Sequence, residues 1–372
     1  MTPYKPDQIF VEHSVSESTI TQNVLKRLPE IPIKYIDSTE NLLKESRQWN
    51  PTIPVAKKSL ILTRQKGNFF KACPAGQIKT GMSNVCCNYF VVNYASNCHM
   101  ECSYCYLQSY LNFPHMVVYA NSNDLLSELE LILSQQPEKH LRIGTGELAD
   151  SLALDHLTSY SIPLVEFFAH QEKGILEFKT KSNCVENILS LDHQSKTVVS
   201  WSISPQAIQQ KEEHKTATLN ERLKAAEQCV QAGYPIAFHL DPLIFYPNWE
   251  TDYSALIQEI FDRIPAESIP WISIGSLRVT PQLKEIMRQR FGKSFLPLGE
   301  LVPCEDGKLR YFKPIRVLMF QKVLNWIRAR APRTTVYTCM ETHDVWTKVF
   351  QELPPREKKL GQRITQPLVS LG

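Results

Sequence analysis

The sequence predicts an α/β fold in which parallel strands alternate with helices. Two observations predict it: six strand–helix units follow one another from about residue 88 to residue 291, and each predicted strand is a short apolar run. Such runs are typical of a parallel sheet that helices cover. The right-handed crossover rule then permits either an incomplete barrel or an open doubly wound sheet. In both folds, the active site lies on the loops that follow the carboxyl ends of the strands.

The predicted elements begin after a polar, proline-punctuated stretch of about 60 residues, in which we expect only one or two short helices. The six strands are predicted at 89–94, 141–144, 175–180, 198–204, 235–241 and 271–278. Helical spacing of apolar residues predicts helices near 124–133, 153–170, 218–231, 252–263 and 280–291. The helix at 218–231 is soon followed by Gly233, a residue type that commonly caps a helix C-terminus.

The pattern changes after residue 300, where we predict a helix near 315–329, a strand at 335–339 and a helix from about 342. We interpret this part as a small appendage that ends in a flexible basic tail. The sequence therefore predicts an N-terminal extension (1–85), a strand–helix body (86–300) and a basic C-terminal appendage (301–372).

Composition predicts a cytoplasmic globular protein that makes no contact with a membrane, and we expect a monomer without a sequence feature that decides it. The chain has 43% hydrophobic and 21% charged residues, so it can bury a core. It contains no run of about 18 apolar residues, and its start lacks a charged-then-apolar signal region. We therefore expect the ten cysteines to be thiols or metal ligands rather than disulfides.

Charge is unevenly distributed along the chain. From Lys308 to the end there are 13 Lys and Arg against 4 Asp and Glu, whereas the first 307 residues carry 28 against 34. A basic region suits a polyanion such as nucleic acid, and also occurs in tails that only improve solubility. Part of this region interleaves basic with aromatic side chains, as contacts with phosphates and bases need; a solvated hairpin is the alternative. The candidate nucleic-acid contacts are Arg310, Tyr311, Lys313 and Arg316.

Three cysteines in the loop after the first predicted strand carry the strongest chemical signal. Cys98, Cys102 and Cys105 have the spacing C-x3-C-x2-C. Three thiolates on one short loop can bind three irons of a cubane 4Fe–4S cluster and leave the fourth iron open to a small ligand. Zinc is the alternative metal, but it needs a fourth ligand, and His99 is poorly placed because it adjoins Cys98.

This spacing, with Tyr104 before the last cysteine, resembles the radical S-adenosylmethionine (SAM) enzymes. The resemblance implies a partial (β/α)6 barrel, which agrees with the six units. It also implies that the amino and carboxylate groups of SAM chelate the open iron. Reductive cleavage of SAM then gives a 5′-deoxyadenosyl radical that abstracts a hydrogen atom, and a flavodoxin- or ferredoxin-like protein supplies the electron.

The stretch Cys102-Ser-Tyr-Cys-Tyr-Leu-Gln108 resembles the spore photoproduct lyase family more closely. The likeness covers roughly residues 85–350 and includes segments 180–182, 202–204, 220–226, 232–235, 245–249 and 277–281. By position it implies that Cys98, Cys102 and Cys105 ligate the cluster. It further implies that Lys181, Ser202 and Ser204 contact SAM, and that Tyr104 and Tyr106 line the cofactor or relay hydrogen. The implied activity is a carbon–carbon lyase that reverses a thymine photodimer in DNA.

One departure from the family is important for the chemistry. The family's lyase has a cysteine at the end of the second strand that returns a hydrogen atom to the product, whereas this chain has Glu147 there. A carboxylate cannot deliver a hydrogen atom, because its O–H bond is too strong, but it suits the ammonium of SAM. We therefore expect an intact cofactor site without the usual donor.

Three functions follow from these patterns. The first is repair of a DNA photodimer. The second is radical modification of another substrate, such as an RNA, a protein or a small molecule. The third is a zinc-stabilised nucleic-acid-binding module without catalysis.

Several further residues have both a functional and a structural interpretation. Cys73, Cys86 and Cys87 are candidates for a replacement hydrogen donor or a second metal site, but adjacent cysteines rarely serve one metal and we favour buried thiols. We favour core packing for Cys339. His239 and Asp241 lie two positions apart on one predicted strand and share a face, so both can point into a barrel; a core pair with no role in chemistry is the alternative.

Overall fold

A computed structural model describes residues 1, 3–42, 44, 52–73, 84–136 and 141–369. Its strands are β1 (Gln8–Glu12), β2 (Ile33–Ile36), β3 (Ser59–Thr63), β4 (Phe70–Ala72), β5 (Phe90–Val92), β6 (Ala95–Ser96), β7 (Glu101–Cys102), β8 (Met116–Tyr119), β9 (Leu141–Gly144), β10 (Gly174–Thr180), β11 (Thr197–Ser202), β12 (Glu213–His214), β13 (Ile236–Leu243), β14 (Trp271–Ser276), β15 (Arg278–Val279), β16 (Val302–Pro303), β17 (Leu309–Arg310) and β18 (Thr335–Thr338).

The helices, numbered in the same way, lie largely between and after the strands. They are α1 (Thr19–Arg27), α2 (Ile53–Ala56), α3 (Leu107–Tyr110), α4 (Ser122–Gln135), α5 (Asp155–Thr158), α6 (Ser161–Ala169), α7 (Gln206–Glu212), α8 (Leu219–Gln231), α9 (Trp249–Arg263), α10 (Pro281–Arg290), α11 (Lys313–Arg330), α12 (His343–Phe350) and α13 (Glu357–Val369). Over the described residues, no helix is both long and apolar enough to cross a membrane.

The main sheet is a curled, incomplete barrel, so the predicted fold class is confirmed. Its strands are ordered β4-β5-β9-β10-β11-β13-β14-β18. All neighbours from β5 to β18 are parallel, and β4 adds antiparallel to the β5 edge. The six predicted strands become β5, β9, β10, β11, β13 and β14. The strand that we had assigned to the C-terminal appendage, β18, instead pairs with β14 as a seventh parallel strand.

Alternation along each strand gives the sheet an inner and an outer face. On β10, for example, Leu176 and Phe178 pack into the main core, while Ile175 and Glu177 face inward. An apolar layer closes the amino-terminal end of the barrel. It consists of Ile175, Val198, Ala237, Trp271 and Tyr337 from the strands, together with Val85, Trp346, Leu360, Ile364 and Leu368.

The helices behave as predicted, with two exceptions. Helix α8 begins with a capping box in which Thr218 and Glu221 bond reciprocally, and Gly233 after it has φ +87°. The helix that we predicted at 153–170 is divided into α5 and α6, because Ser159 adopts a left-handed conformation with φ +52°. The expected flexible tail beyond residue 356 forms α13, whose apolar side packs under the barrel.

A second sheet, which we call the N-terminal sheet, takes three of its five strands from the part for which we had predicted only short helices. Its order is β2-β1-β3-β8-β6, with parallel pairing except for β6 on β8. We missed β1, β2 and β3 because they are only four or five residues long and lie among polar residues. The sheet combines strands from both sides of residue 86, so the division of the chain at 85 and 300 stays a proposal.

Candidate active site at the mouth of the half-barrel

The structure brings the three predicted cysteine ligands together on the loop after β5. Cys98 and Cys105 are partly buried and Cys102 is buried, and all three pack with Met100 and Ala153 in one small cluster. Strand β7, which ends in Cys102, pairs antiparallel with β12, which follows α7. The loop is therefore tied both to the N-terminal sheet through β6 and to the barrel through β12.

Two ammonium groups lie beside the three thiols. The Nζ of Lys57 is 2.8 Å from the carbonyl oxygen of Met100, and it favours the thiolate forms of Cys98 and Cys105. Lys181 acts in the same direction on Cys102 and Cys105 from the barrel side, while burial and the nearby Glu213 raise the pKa of Cys102. Positive charge on two sides favours the binding of a group whose three thiolate ligands are negatively charged.

The thiols fit a metal cluster better than they fit free cysteines. Burial raises the pKa of Cys98 to about 12, so the isolated thiol stays protonated at neutral pH. Bound iron would supply the positive charge that displaces this proton. Over the described residues, no three His, Cys, Asp or Glu side chains are arranged to hold a single metal ion.

Glu147 lies near the end of β9, next to a buried amide. Its Oε2 accepts a hydrogen bond of 2.9 Å from Nδ2 of Asn93, and its backbone carbonyl accepts one from the Tyr106 hydroxyl. Asn93 is 2% exposed, and its Oδ1 finds no hydrogen-bond partner among the described residues. An unsatisfied buried acceptor beside a half-buried carboxylate suits a ligand with several N–H donors, such as an ammonium.

The segment that carries Lys181 is fixed by a half-buried acid. Asp150 accepts hydrogen bonds from the backbone N–H of Lys181 at 2.7 Å and from the Thr180 hydroxyl at 2.6 Å. The Nζ of Lys181 then lies 3.7 Å from Oε1 of Glu213. Ser204 donates to the same oxygen at 3.0 Å, and Ser202 is buried at the end of β11. Two of the predicted cofactor residues, Lys181 and Ser204, therefore converge on Glu213.

Glu213 is a site residue that the sequence did not reveal. Its side chain is fully buried, pairs with Arg222 at 2.6 Å and accepts the hydrogen bond of the Tyr104 hydroxyl. Burial favours the neutral acid, but Arg222 and Lys181 outweigh it and lower the pKa of Glu213 to about 2. No sequence signal marks this residue, because a Glu-Glu-His run beside a helix is more typical of a solvated surface.

The two predicted tyrosines have different surroundings. The Tyr104 ring lies 5.9 Å from Nζ of Lys181, on the cofactor side of the loop. Tyr106 is 45% exposed and makes an edge contact with Tyr110 at 5.8 Å. Tyr104 is therefore placed beside the cofactor residues, and Tyr106 lies at the outer rim.

Charged residues also occupy the inside of the barrel. Oε1 of Glu177 lies 2.8 Å from Nε2 of His239, and Oε2 lies 3.7 Å from Nε of Arg142. Burial and the nearby Lys179 lower the pKa of His239 to about 4, so the imidazole is neutral at pH 7. The guanidinium of Arg142 lies over three aromatic rings, 4.6 Å from the ring centre of Tyr89 and farther from those of Trp271 and Tyr337.

The open end of the barrel holds an ion pair and one thiol, and a second thiol lies against the apolar layer at the other end. Asp241 and Arg278 form two hydrogen bonds of 2.9 and 3.0 Å. Cys339 follows β18, with its sulfur 3.9 Å from Arg278, and the sulfur of Cys87 is 3.1 Å from Arg142. The positive charge of Lys179 favours the thiolate form of each thiol. His239 and Asp241 thus do share the inner face, and Cys339 lies at the mouth.

The predicted nucleic-acid contacts need correction. Arg310 is 4% exposed and forms two hydrogen bonds of 2.6 Å with Asp306, while Arg316 is 5% exposed and pairs with Glu341. Tyr311 is buried, and its hydroxyl accepts from a backbone N–H. These three side chains stabilise the fold and present no free group to a phosphate. Lys313 alone of the four is well exposed, and it pairs with Asp344 at 2.9 Å.

A half-barrel that presents three clustered thiols beside its open end is the arrangement of the radical SAM enzymes, and this chain is one of them. Its cofactors are a 4Fe–4S cluster and SAM. The family model described as spore photoproduct lyase matches residues 4–311. The chain therefore belongs to the spore photoproduct lyase family.

Individual relatives agree with this assignment. The chain is 23% identical over 312 residues to the spore photoproduct lyase of Bacillus subtilis (strain 168), covering 80% of this chain and 86% of that protein. It is 24% identical over 307 residues to the enzyme of Geobacillus sp. (strain Y412MC61), covering 81% and 86%. A solved mutant of spore photoproduct lyase with bound AdoMet and dinucleoside spore photoproduct has a TM-score of 0.77 at 22% identity, covering 91% of this chain and all of that chain.

Proposed function

We propose that this chain repairs a thymine photodimer in DNA by radical SAM chemistry, as a monomer in the cytoplasm. The observation that carries the proposal is the clustering of three thiols beside Lys181, with Glu147 linked to the same loop through the Tyr106 hydroxyl, within a family of spore photoproduct lyases. A flavodoxin- or ferredoxin-like protein would supply the electron.

The protein's own residues hold and orient the cofactors. Cys98, Cys102 and Cys105 would bind the cluster, Glu147 would accept the SAM ammonium, and Lys181, Ser202 and Ser204 would contact SAM. When bound, the cluster and SAM supply a 5′-deoxyadenosyl radical that removes a hydrogen atom from the substrate. Glu213 stays ionised and keeps Tyr104 and Lys181 in place. Tyr104 and Tyr106 are the proposed catalytic tyrosines beside this site.

Repair must return a hydrogen atom to the product, and Glu147 cannot donate it. Two thiols that face the barrel interior, Cys87 and Cys339, are the candidates, because each lies against an arginine that lines the mouth or the inside. Their position supports a relocated donor rather than a lost one.

Radical modification of a different substrate is the second candidate function. It is favoured by the polar interior of the barrel, where His239, Asp241 and Arg278 would face the substrate. Such polar and charged groups suit a polar substrate atom better than they suit the apolar edge of stacked thymines.

Incubation with dinucleotide spore photoproduct tests the proposal. The reduced, cluster-loaded protein with SAM should release thymidylyl-thymidine, detected by chromatography and mass spectrometry. Cys102→Ala should form neither thymidylyl-thymidine nor 5′-deoxyadenosine, because it lacks a cluster ligand. Formation of 5′-deoxyadenosine without repair would reject the photodimer and leave the second candidate.

A further inference from the structure

Two surface segments lie against the outer side of the cysteine loop. In the antiparallel pair of β12 and β7, Glu213 is the Cα partner of Cys102. Such partners lie about 5 Å apart. Lys211 and Lys215, two residues to either side of Glu213, are exposed. The ligand Cys102 is therefore separated from these lysines by a single strand.

The second segment follows the C-terminal end of α10 and joins the first. Ser294 donates a hydrogen bond of 2.8 Å to the side chain of Glu212, and the rings of His214 and Phe291 stack at 5.9 Å. Arg290, the last residue of α10, pairs with Glu101 on β7. Residues 211–215 and 288–294 thus form one surface behind the loop, which we call the loop-back surface.

The loop-back surface carries positive charge that the chain leaves largely unpaired. Its exposed cations are Lys211, Lys215, Arg288 and Lys293. Of these, only Arg288 has a carboxylate within 4.0 Å among the described residues, a long contact of 3.9 Å to Glu285. The basic stretch at 310–316 differs, because each of its cations forms an ion pair with a carboxylate of the same chain. Unpaired cations steer acidic partners and raise their association rates.

We infer that the loop-back surface docks an acidic protein that carries one electron. The electron passes from a reduced flavin or iron–sulfur group in that protein to the cluster, so the carrier loses one electron and the cluster gains one. No bond forms or breaks. Because electron transfer slows steeply with distance, the carrier must dock close to the cysteines, and this surface lies one strand from Cys102.

DNA is the other polyanion that this surface could attract, but the geometry favours the protein. The substrate must reach the barrel mouth, which is lined by inward-facing side chains such as Asp241 and Arg278. The loop-back surface consists of outward-facing side chains behind the loop. The inference rests on the proposed electron carrier and not on the identity of the lesion.

A charge-reversal variant tests the inference without any lesion. The triple variant Lys211→Glu, Lys215→Glu, Lys293→Glu is loaded with cluster and mixed with a reduced flavodoxin in a stopped-flow instrument, in 0.05 to 0.3 M NaCl. We expect reduction of the cluster at low salt to be at least about tenfold slower than in the unmodified protein, and its dependence on salt to be lost. Reduction by dithionite and the iron content should not change.

A matched control variant changes the net charge by the same amount at residues outside the loop-back surface. Lys26→Glu, Lys34→Glu, Lys224→Glu alters three exposed lysines on α1, β2 and α8 and should leave the flavodoxin rate within about twofold. If the reversal variant loads cluster poorly, Lys211→Gln, Lys215→Gln, Lys293→Gln takes its place, with an expected loss of about threefold. An unchanged flavodoxin rate in a fully loaded variant overturns the inference. Weaker DNA binding with an unchanged rate also overturns it and assigns the surface to DNA.

Discussion

Glu213 connects more of the cofactor site than any residue that the sequence singled out. It accepts hydrogen bonds from Tyr104 and Ser204, and it pairs with Arg222 and Lys181. Three of these four partners, Tyr104, Ser204 and Lys181, were predicted as site residues from their positions in the family's motifs. It could not predict Glu213, because only the folded pairing of β12 with β7 brings that carboxylate behind Cys102.

Replacing Glu213 with Gln should destabilise the protein, since it leaves Arg222 and Lys181 buried without a counter-charge. Loss of one partner of a buried pair costs about 3 to 5 kcal/mol. Urea denaturation of the cluster-free protein at pH 7 measures the change. Glu30→Gln, which removes an exposed pair with Lys5, is the control and should change the free energy of unfolding far less. Equal effects of the two variants would show that Glu213 is not the centre of the site.

Glu147→Gln should weaken SAM binding and leave the cluster intact. A hydrogen bond to a charged group contributes about 1.5 to 3 kcal/mol, so the dissociation constant should rise about tenfold to a hundredfold. Anaerobic calorimetry with SAM measures it, and iron analysis confirms loading. Glu166→Gln on the exposed side of α6 is the control. Unchanged affinity would mean that the carboxylate beside Asn93 does not hold the ammonium.

His239 makes the stability of the barrel depend on pH. Its folded pKa of about 4 lies below the ordinary value of about 6.5, because burial and Lys179 disfavour the imidazolium. The unfolded chain therefore binds more protons between these values, and stability is lost as pH falls from about 6.5 towards 4. The loss approaches about 3 kcal/mol. Urea midpoints at pH 7, 6 and 5 should fall more steeply for the natural protein than for His239→Gln; parallel profiles would contradict this account.

At the scale of elements, the sequence predicted the strands that are flanked by helices. It did not predict which strand pairs at the edge of the main sheet. The apolar runs of β9, β10, β11 and β13 are buried on both faces, so their sequences show them plainly. Strand β18 has the same character, yet its sequence does not say that it pairs with β14 rather than within an appendage. Pairing across about 60 residues of chain depends on tertiary packing, which periodicity does not encode.

Helix α13 is an integral part of the barrel in this structure. Leu360, Ile364 and Leu368 pack on the apolar layer that closes the amino-terminal end of the barrel. Ile364→Ala should therefore cost about 2 to 5 kcal/mol of unfolding free energy, measured by urea denaturation. Lys359→Ala on the exposed side of the same helix should cost less than about 0.5 kcal/mol. A loss for Ile364→Ala as small as that for Lys359→Ala would mean that α13 is only loosely attached.

At the scale of the whole molecule, two sheets meet around the cysteine loop. Strands β6 and β8, on either side of the loop in sequence, belong to the N-terminal sheet, and Lys57 follows α2 from the same part of the chain. The barrel approaches from the other side through Lys181 and β12. The sequence located the loop and the barrel, but the uneven charge along the chain misled the nucleic-acid prediction. Much of the C-terminal basic charge is used in pairs such as Arg316–Glu341 and Arg310–Asp306.

The central claim is that three thiols hold an iron–sulfur cluster whose open iron takes SAM. Anaerobic reconstitution followed by electron paramagnetic resonance of the reduced protein, with and without SAM, tests it most directly. We predict about four iron and four sulfide per chain and a cluster signal that changes when SAM is added. One zinc per chain without iron, or a cluster signal indifferent to saturating SAM, would contradict the account.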